Sequence, residues 1–115
     1  MAGSWSYFTA PTGVSADTMI LLTDGSVLVH NADYPGKPGT GGTDWYRLTP
    51  DANSAYESGQ WSSAFNMATG RQFFASGVLK DGRVFVLGGE WSNLFPQDQC
   101  ALARFSIHPR TPGRR

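Results

Sequence analysis

The side chains in this sequence with the clearest capacity for chemistry are two histidines and one cysteine. Seventy-seven residues separate His30 from His108, so they form no metal motif, and no acidic partner can be assigned to either. His30 falls in an apolar run, and we expect it to be packed rather than catalytic. Cys100 stands alone, which excludes an internal disulfide and a cysteine-rich zinc site. No lysine or histidine lies beside Cys100 to activate its thiolate, so we expect a structural role.

A glycine-rich stretch, residues 36–42, has a superficial likeness to a phosphate-binding loop. It lacks the Gly-Lys-Ser/Thr ending and no helical pattern follows it, so we interpret it as a surface loop. Ser15, Ser76 and Ser92 have no nucleophile-elbow context. The sequence therefore predicts no catalytic residue, no metal site and no cofactor, and it favours a protein that is not an enzyme.

Composition places the chain among globular proteins. Its 115 residues suit one domain, and 40% apolar residues suffice for a packed core. Lys+Arg and Asp+Glu both number 9, which argues against nucleic acid as a partner. The longest aliphatic run, Met19–Leu22, cannot span a bilayer and no signal peptide is visible, so we expect no membrane association and leave the compartment open. Residues 110–115 form a basic tail that we expect to be flexible.

Two Asp-Gly dipeptides are the strongest indication of secondary structure in this sequence, and the strands beside them would position any site. Asp24-Gly25 and Asp81-Gly82 each stand between two runs of strand-forming residues. Asp-Gly accommodates the positive φ that tight hairpin turns require, so the sequence predicts two β-hairpins. No segment has a helical period of useful length, and we expect an all-β fold.

The two hairpins belong to an internal repeat. The second lies 57 residues after the first without a gap, so that Thr12-Gly13 matches Thr69-Gly70 and Val27 matches Val84. Repeats of this length built from short strands are typical of propeller blades.

Each copy is predicted to be a blade of four strands, with the last strand of the second copy displaced. In blade 1 (residues 12–63) the predicted strands are 16–22, 27–31, 44–48 and one that contains Trp61. In blade 2 (residues 69–109) they are 73–79, 84–88 and 101–107. The missing fourth strand has its sequence counterpart at residues 3–8, where Gly3-Ser4-Trp5-Ser6 matches Gly59-Gln60-Trp61-Ser62.

These residues resemble Kelch repeats, the blades of Kelch and galactose-oxidase-like β-propellers. The second copy carries the likeness in residues 67–71, in Leu79-Lys80-Asp81-Gly82 and in a strand ending in Gly88-Gly89, the family's most specific element. The resemblance implies about two four-stranded antiparallel blades in the chain.

The first copy keeps only part of the Kelch pattern. Tyr46, Pro50 and Trp61 match its second element, but Asn31-Ala32 replaces the glycine doublet. No copper ligand of galactose-oxidase-like enzymes carries over, because the tyrosines, Cys100 and the two histidines are scattered along the chain.

The resemblance also indicates where a ligand would bind. In a propeller, the loops between strands two and three, here 32–43 and 90–99, emerge on the same face as the links between blades. Exposed aromatic residues beside charges and amides suit a carbohydrate or a peptide. The candidate residues are Asp33, Tyr34, Arg71, Glu90, Trp91 and Asn93. The alternative is that Trp91 and Phe95 fold back over the blade.

Counting blades leads to an expectation of assembly. Propellers close with about four to eight blades, so two blades leave two lateral faces uncovered. We expect a homo-oligomer, with three chains favoured over two or four, in which residues 3–8 complete blade 2 of a neighbouring chain. The expected function is that of a non-enzymatic binding module. The alternatives are a fragment of a larger galactose-oxidase-like or other propeller enzyme, and a purely structural self-assembling protein.

Overall fold

A computed structural model of the chain describes residues 3–33 and 41–89. The described residues are all-β, with no helix, and form two antiparallel sheets. The first sheet has the order β1-β2-β3-β4, and the second consists of β5 and β6. The strands are β1 (Ala16–Leu21), β2 (Val27–Asn31), β3 (Asp44–Thr49), β4 (Gln60–Asn66), β5 (Ala75–Val78) and β6 (Val84–Leu87).

Both predicted hairpins are confirmed, and the first turn shows why its sequence forms one. Gly25 has φ 86°, and Oδ1 of Asp24 accepts hydrogen bonds from the N (2.9 Å) and the Oγ (2.6 Å) of Ser26. Burial would raise the pKa of Asp24, but the hydrogen bonds from Ser26 outweigh it and hold the pKa below its ordinary 3.8. At the second turn Gly82 has φ 87°, and the N of Arg83 donates to Oδ1 of Asp81.

The observed strands follow the predicted ones closely in the first repeat and less closely in the second. Trp61 lies in β4, where it pairs with Leu48 of β3. In the second repeat β5 begins at Ala75 rather than at Phe73. The φ of Phe73 is 54°, whereas residues in a β-strand have negative φ. The predicted third strand, 101–107, lies outside the described residues. Residues 3–8 pair with neither sheet.

The core lies between one face of the first sheet and the β5–β6 hairpin. Ile20, Leu28 and Trp45 supply the first side, and Val84 and Val86 supply the other. We call this face of the first sheet the inner face. Ile20 of β1 pairs with Leu28 of β2, and His30 of β2 pairs with Trp45 of β3, so neighbouring strands place these side chains on the same face.

The opposite face of the first sheet, which we call the outer face, is also apolar. Paired residues share a face, so one row across the sheet consists of Leu21, Val27, Leu48 and Trp61, and the next contains Met19, Val29 and Tyr46. An antiparallel sheet with one face in water normally alternates apolar with polar side chains. Apolar residues on both faces are instead typical of a sheet packed between two layers.

Candidate functional site

The candidate site is the end of the two sheets where β1 and β3 begin and where β2 and β4 end. We call it the loop end. The Nε2 of Gln72, in the link between the repeats, donates to the carbonyl of Ala32 (3.0 Å), just after β2. The link and the start of the β2–β3 loop therefore lie at the same end of the structure.

Asn31 holds three strands of the first sheet together at this end. Its Oδ1 accepts hydrogen bonds from the N of Ser15 (2.9 Å) and of Asp33 (3.3 Å), and its Nδ2 donates to the carboxylate of Asp44 (3.2 and 3.4 Å). A hydrogen bond with Asp44 also raises the pKa of Tyr46, and burial adds to this rise. The asparagine thus makes side-chain bonds at the position where the second repeat has glycine.

The Gly88-Gly89 doublet shapes the second repeat by a different means. Both residues have positive φ, 68° and 107°, which costs glycine little. A Cβ on Gly89 would also lie 2.7 Å from the carbonyl oxygen of Gln72. The doublet therefore lets the chain turn sharply after β6 and pass close to the link between the repeats.

Arg71, a predicted ligand residue, is part of the frame of the loop end. The residue is only 3% exposed, and its Nη1 donates to the carbonyl of Gly88 (2.9 Å). Its Nε is buried and has no hydrogen-bond partner among residues 3–33 and 41–89. In this arrangement the guanidinium holds the link against the end of β6 and does not face solvent.

The other predicted ligand residues divide into one that is described and four that are not. Asp33 lies at the loop end, half-buried, with its N bonded to Asn31. Tyr34, Glu90, Trp91 and Asn93 lie outside the described residues, as do Cys100 and His108.

Phe73 is the residue at the loop end that sequence reasoning missed. It is 71% exposed, and its φ of 54° is rare for a bulky side chain. Its neighbours fix this conformation, because Gln72 is bonded to Ala32 and Phe74 is buried. The sequence signal was the Phe73-Phe74 pair itself, since adjacent side chains at a strand start cannot both face the core.

His30 has an acidic partner, so the expectation that none existed was wrong. Its Nδ1 lies 2.8 Å from Oδ1 of Asp17, and its Nε2 donates to the carbonyl of Gly42 (2.8 Å). The histidine is fully buried, with ring centroids 5.0 Å from those of Trp45 and Phe74. The expectation of a packed histidine is confirmed. Both ring nitrogens are engaged within the protein, so in this arrangement neither reaches a substrate.

The far end of the second sheet has a shallow depression lined by Leu79, Lys80, Asp81 and Arg83. Two of its charged side chains form an ion pair, with Nε of Arg83 2.6 Å from Oδ2 of Asp81. Within residues 3–33 and 41–89 no group of three or more His, Cys, Asp or Glu side chains could hold a metal ion. The same residues contain no helix that is long and apolar enough to cross a membrane.

Comparisons with family models, with curated proteins and with solved structures found no match to this chain.

Proposed function

We propose that this protein is a non-enzymatic binding module of the Kelch-like propeller type, assembled from several chains, whose loop end binds a carbohydrate. The single observation that carries the proposal is Phe73, an exposed aromatic ring held at a left-handed backbone conformation by buried neighbours. Such conformations cost about 1–3 kcal/mol and cluster at functional sites. A peptide is the alternative ligand.

Three features support blade-like repeats. The first repeat is a four-stranded antiparallel sheet in simple sequence order, and the second begins with a hairpin at the matching position. The glycine doublet has the positive φ values that make it hard to replace. The inner face of the first sheet packs on the second hairpin, as neighbouring blades would.

The rigidity of the loop end suits binding. Gln72, Arg71 and Asn31 are buried, and each is bonded to backbone or side chains of another segment. An aromatic ring that is already held in its binding conformation loses little conformational entropy when a ligand stacks on it. Aromatic rings offer an apolar face to the C–H groups of a sugar, and neighbouring amides and carbonyls provide hydrogen bonds for its hydroxyls.

An immobilised glycan panel, with a peptide panel alongside, tests this proposal. We expect wild-type protein to bind a subset of glycans and Phe73→Asn to weaken that binding by about tenfold or more. Asparagine tolerates the left-handed region, so the variant should keep its thermal midpoint.

Lys80→Ala provides the control, because Lys80 is exposed at the opposite end of the second sheet. This variant should bind like wild type. Equal glycan binding by Phe73→Asn and wild type would show that Phe73 does not contact the ligand. Binding to the peptide panel alone would replace the carbohydrate assignment, and no binding on either panel would favour a purely structural protein.

A further inference from the structure

We propose that the exposed aromatic segment at residues 5–7 binds the arginine-rich segment of this chain, residues 110–115. The aromatic segment lies at the end of the first sheet opposite the loop end, where it contacts the β3–β4 loop. It is a second interaction surface, and it goes beyond the proposed carbohydrate site.

The first observation is a pair of uncovered aromatic rings. Trp5 is 97% exposed and Tyr7 is 100% exposed, and neither residue belongs to a strand. Trp and Tyr are enriched at the positions that dominate the binding energy of protein interfaces, because a rigid ring contributes a large contact area at a low entropic cost. Two rings this exposed, two residues apart, therefore indicate an interaction surface rather than part of the core.

The second observation is that the residue between the two rings is anchored. The Oγ of Ser6 donates a hydrogen bond to Oε1 of Glu57 in the β3–β4 loop (2.8 Å). That loop is itself tied to the β1–β2 turn, because the hydroxyl of Tyr56 donates to the carbonyl of Gly25 (2.8 Å). The two rings therefore flank a residue that is bonded to a carboxylate.

The third observation is the charge at this surface. Hydrogen bonds from its own backbone N–H and from Ser6 hold the pKa of Glu57 below its ordinary 4.5, so its carboxylate is ionised at neutral pH. No Lys or Arg among residues 3–33 and 41–89 forms an ion pair with Glu57. Asp51 lies close enough to Glu57 to oppose this lowering of the pKa. The surface is therefore acidic as well as aromatic.

An arginine side chain is complementary to such a surface. Its planar guanidinium stacks on the face of a Trp or Tyr ring and donates two parallel hydrogen bonds to a carboxylate, whereas lysine provides only a point charge. The ligand that this surface fits is a peptide that contains arginine and no acidic residue.

The chain itself contains such a peptide. Residues 110–115, which lie outside the described residues, include Arg110, Arg114 and Arg115 and no acidic side chain. The described residues have the opposite balance, with seven Asp or Glu side chains and four Lys or Arg. This charge complementarity favours residues 110–115 over an unrelated protein as the occupant.

The indole N–H signal of Trp5 in a nitrogen–proton NMR correlation spectrum tests the contact in the full chain. Wild type is compared with a triple variant, Arg110→Gln with Arg114→Gln and Arg115→Gln, which lacks the charges and the stacking groups. We expect the Trp5 signal to differ between the two proteins, and Glu57→Gln alone to move it toward its position in the triple variant. The indole signals of Trp45, which is buried, and Trp61, which lies in β4, are the controls and should not move.

A synthetic peptide of residues 104–115 tests the same contact by addition. Titrated into the triple variant, it should return the Trp5 signal to its wild-type position, and added salt should weaken its binding. Tyr7→Ala in the same background should weaken the binding by about threefold or more. Met19→Ala, which removes an exposed side chain of β1, should leave the binding unchanged.

A Trp5 signal at the same position in wild type and in the triple variant would overturn the inference, and so would a peptide that leaves this signal unmoved. Dilution of wild type identifies the source of the segment. A signal that keeps its position places residues 110–115 against the same chain, and one that moves toward the triple variant places them against a neighbouring copy. These measurements involve no glycan, so failure of the carbohydrate proposal at Phe73 would leave their result unchanged.

Discussion

The Nδ1 of His30 lies 2.8 Å from Oδ1 of Asp17 and joins the end of β2 to the start of β1 inside the loop end. The carbonyl of Gly42 can only accept, so the Nε2 of His30 carries a proton toward it. The pair thus connects three segments of the first repeat through one buried ring. In the second repeat the matching position is Leu87, whose side chain has no group that forms a hydrogen bond.

His30→Leu should lower the free energy of unfolding by about 2–3 kcal/mol, because the Gly42 carbonyl and Asp17 both lose their hydrogen bond to the imidazole ring. Urea unfolding of His30→Leu, Asp17→Ala and the double variant measures this loss. We expect a coupling energy of about 1 kcal/mol or more between the two positions. Strictly additive losses would show that the hydrogen bond contributes nothing of its own.

The Asp24–Ser26 turn should make stability depend on pH. The folded-state pKa of Asp24 is lowered, so its contribution is complete above its ordinary pKa of 3.8 and disappears as the pH falls through the folded value. Ser26→Ala should therefore destabilise the protein at neutral pH, and the difference from wild type should shrink toward about pH 2.

Denaturant unfolding at several pH values measures this trend. Ser62→Ala serves as the control, because Ser62 is exposed in β4, and its effect should not change with pH. A Ser26→Ala difference that grows as the pH falls would contradict the assignment.

Replacing Gly88 and Gly89 with alanine, one at a time, should distinguish the cost of a positive φ from the cost of a steric clash. A Cβ on Gly88 meets nothing within 4 Å, so Gly88→Ala should cost about 1 kcal/mol for its positive φ alone. Gly89→Ala should cost about 2 kcal/mol or more, since its Cβ would also lie 2.7 Å from the Gln72 carbonyl. Thermal unfolding of the two variants measures both losses of stability. Equal losses would show that the approach of Gly89 to the Gln72 carbonyl adds no cost of its own.

The sequence by itself determined the local architecture. Asp24-Gly25 and Asp81-Gly82 act within a few residues, because the turn needs only a residue that tolerates positive φ and an acceptor for the next backbone N–H. The apolar runs on either side then become paired strands at the predicted places. The match at 57 residues likewise predicted that a second hairpin would follow the first.

The tertiary structure alone decided which side chains meet at the loop end. Asp17 and His30 come together because the pairing of β1 with β2 shifts register between Ala16 and Met19, and the Asp24-Gly25 turn does not specify that shift. Arg71 is buried and Phe73 exposed because the Gly88 and Ala32 carbonyls anchor the link from two other segments. These contacts join residues far apart in sequence, so their outcome depends on how the repeats pack and not on the residue types along the link.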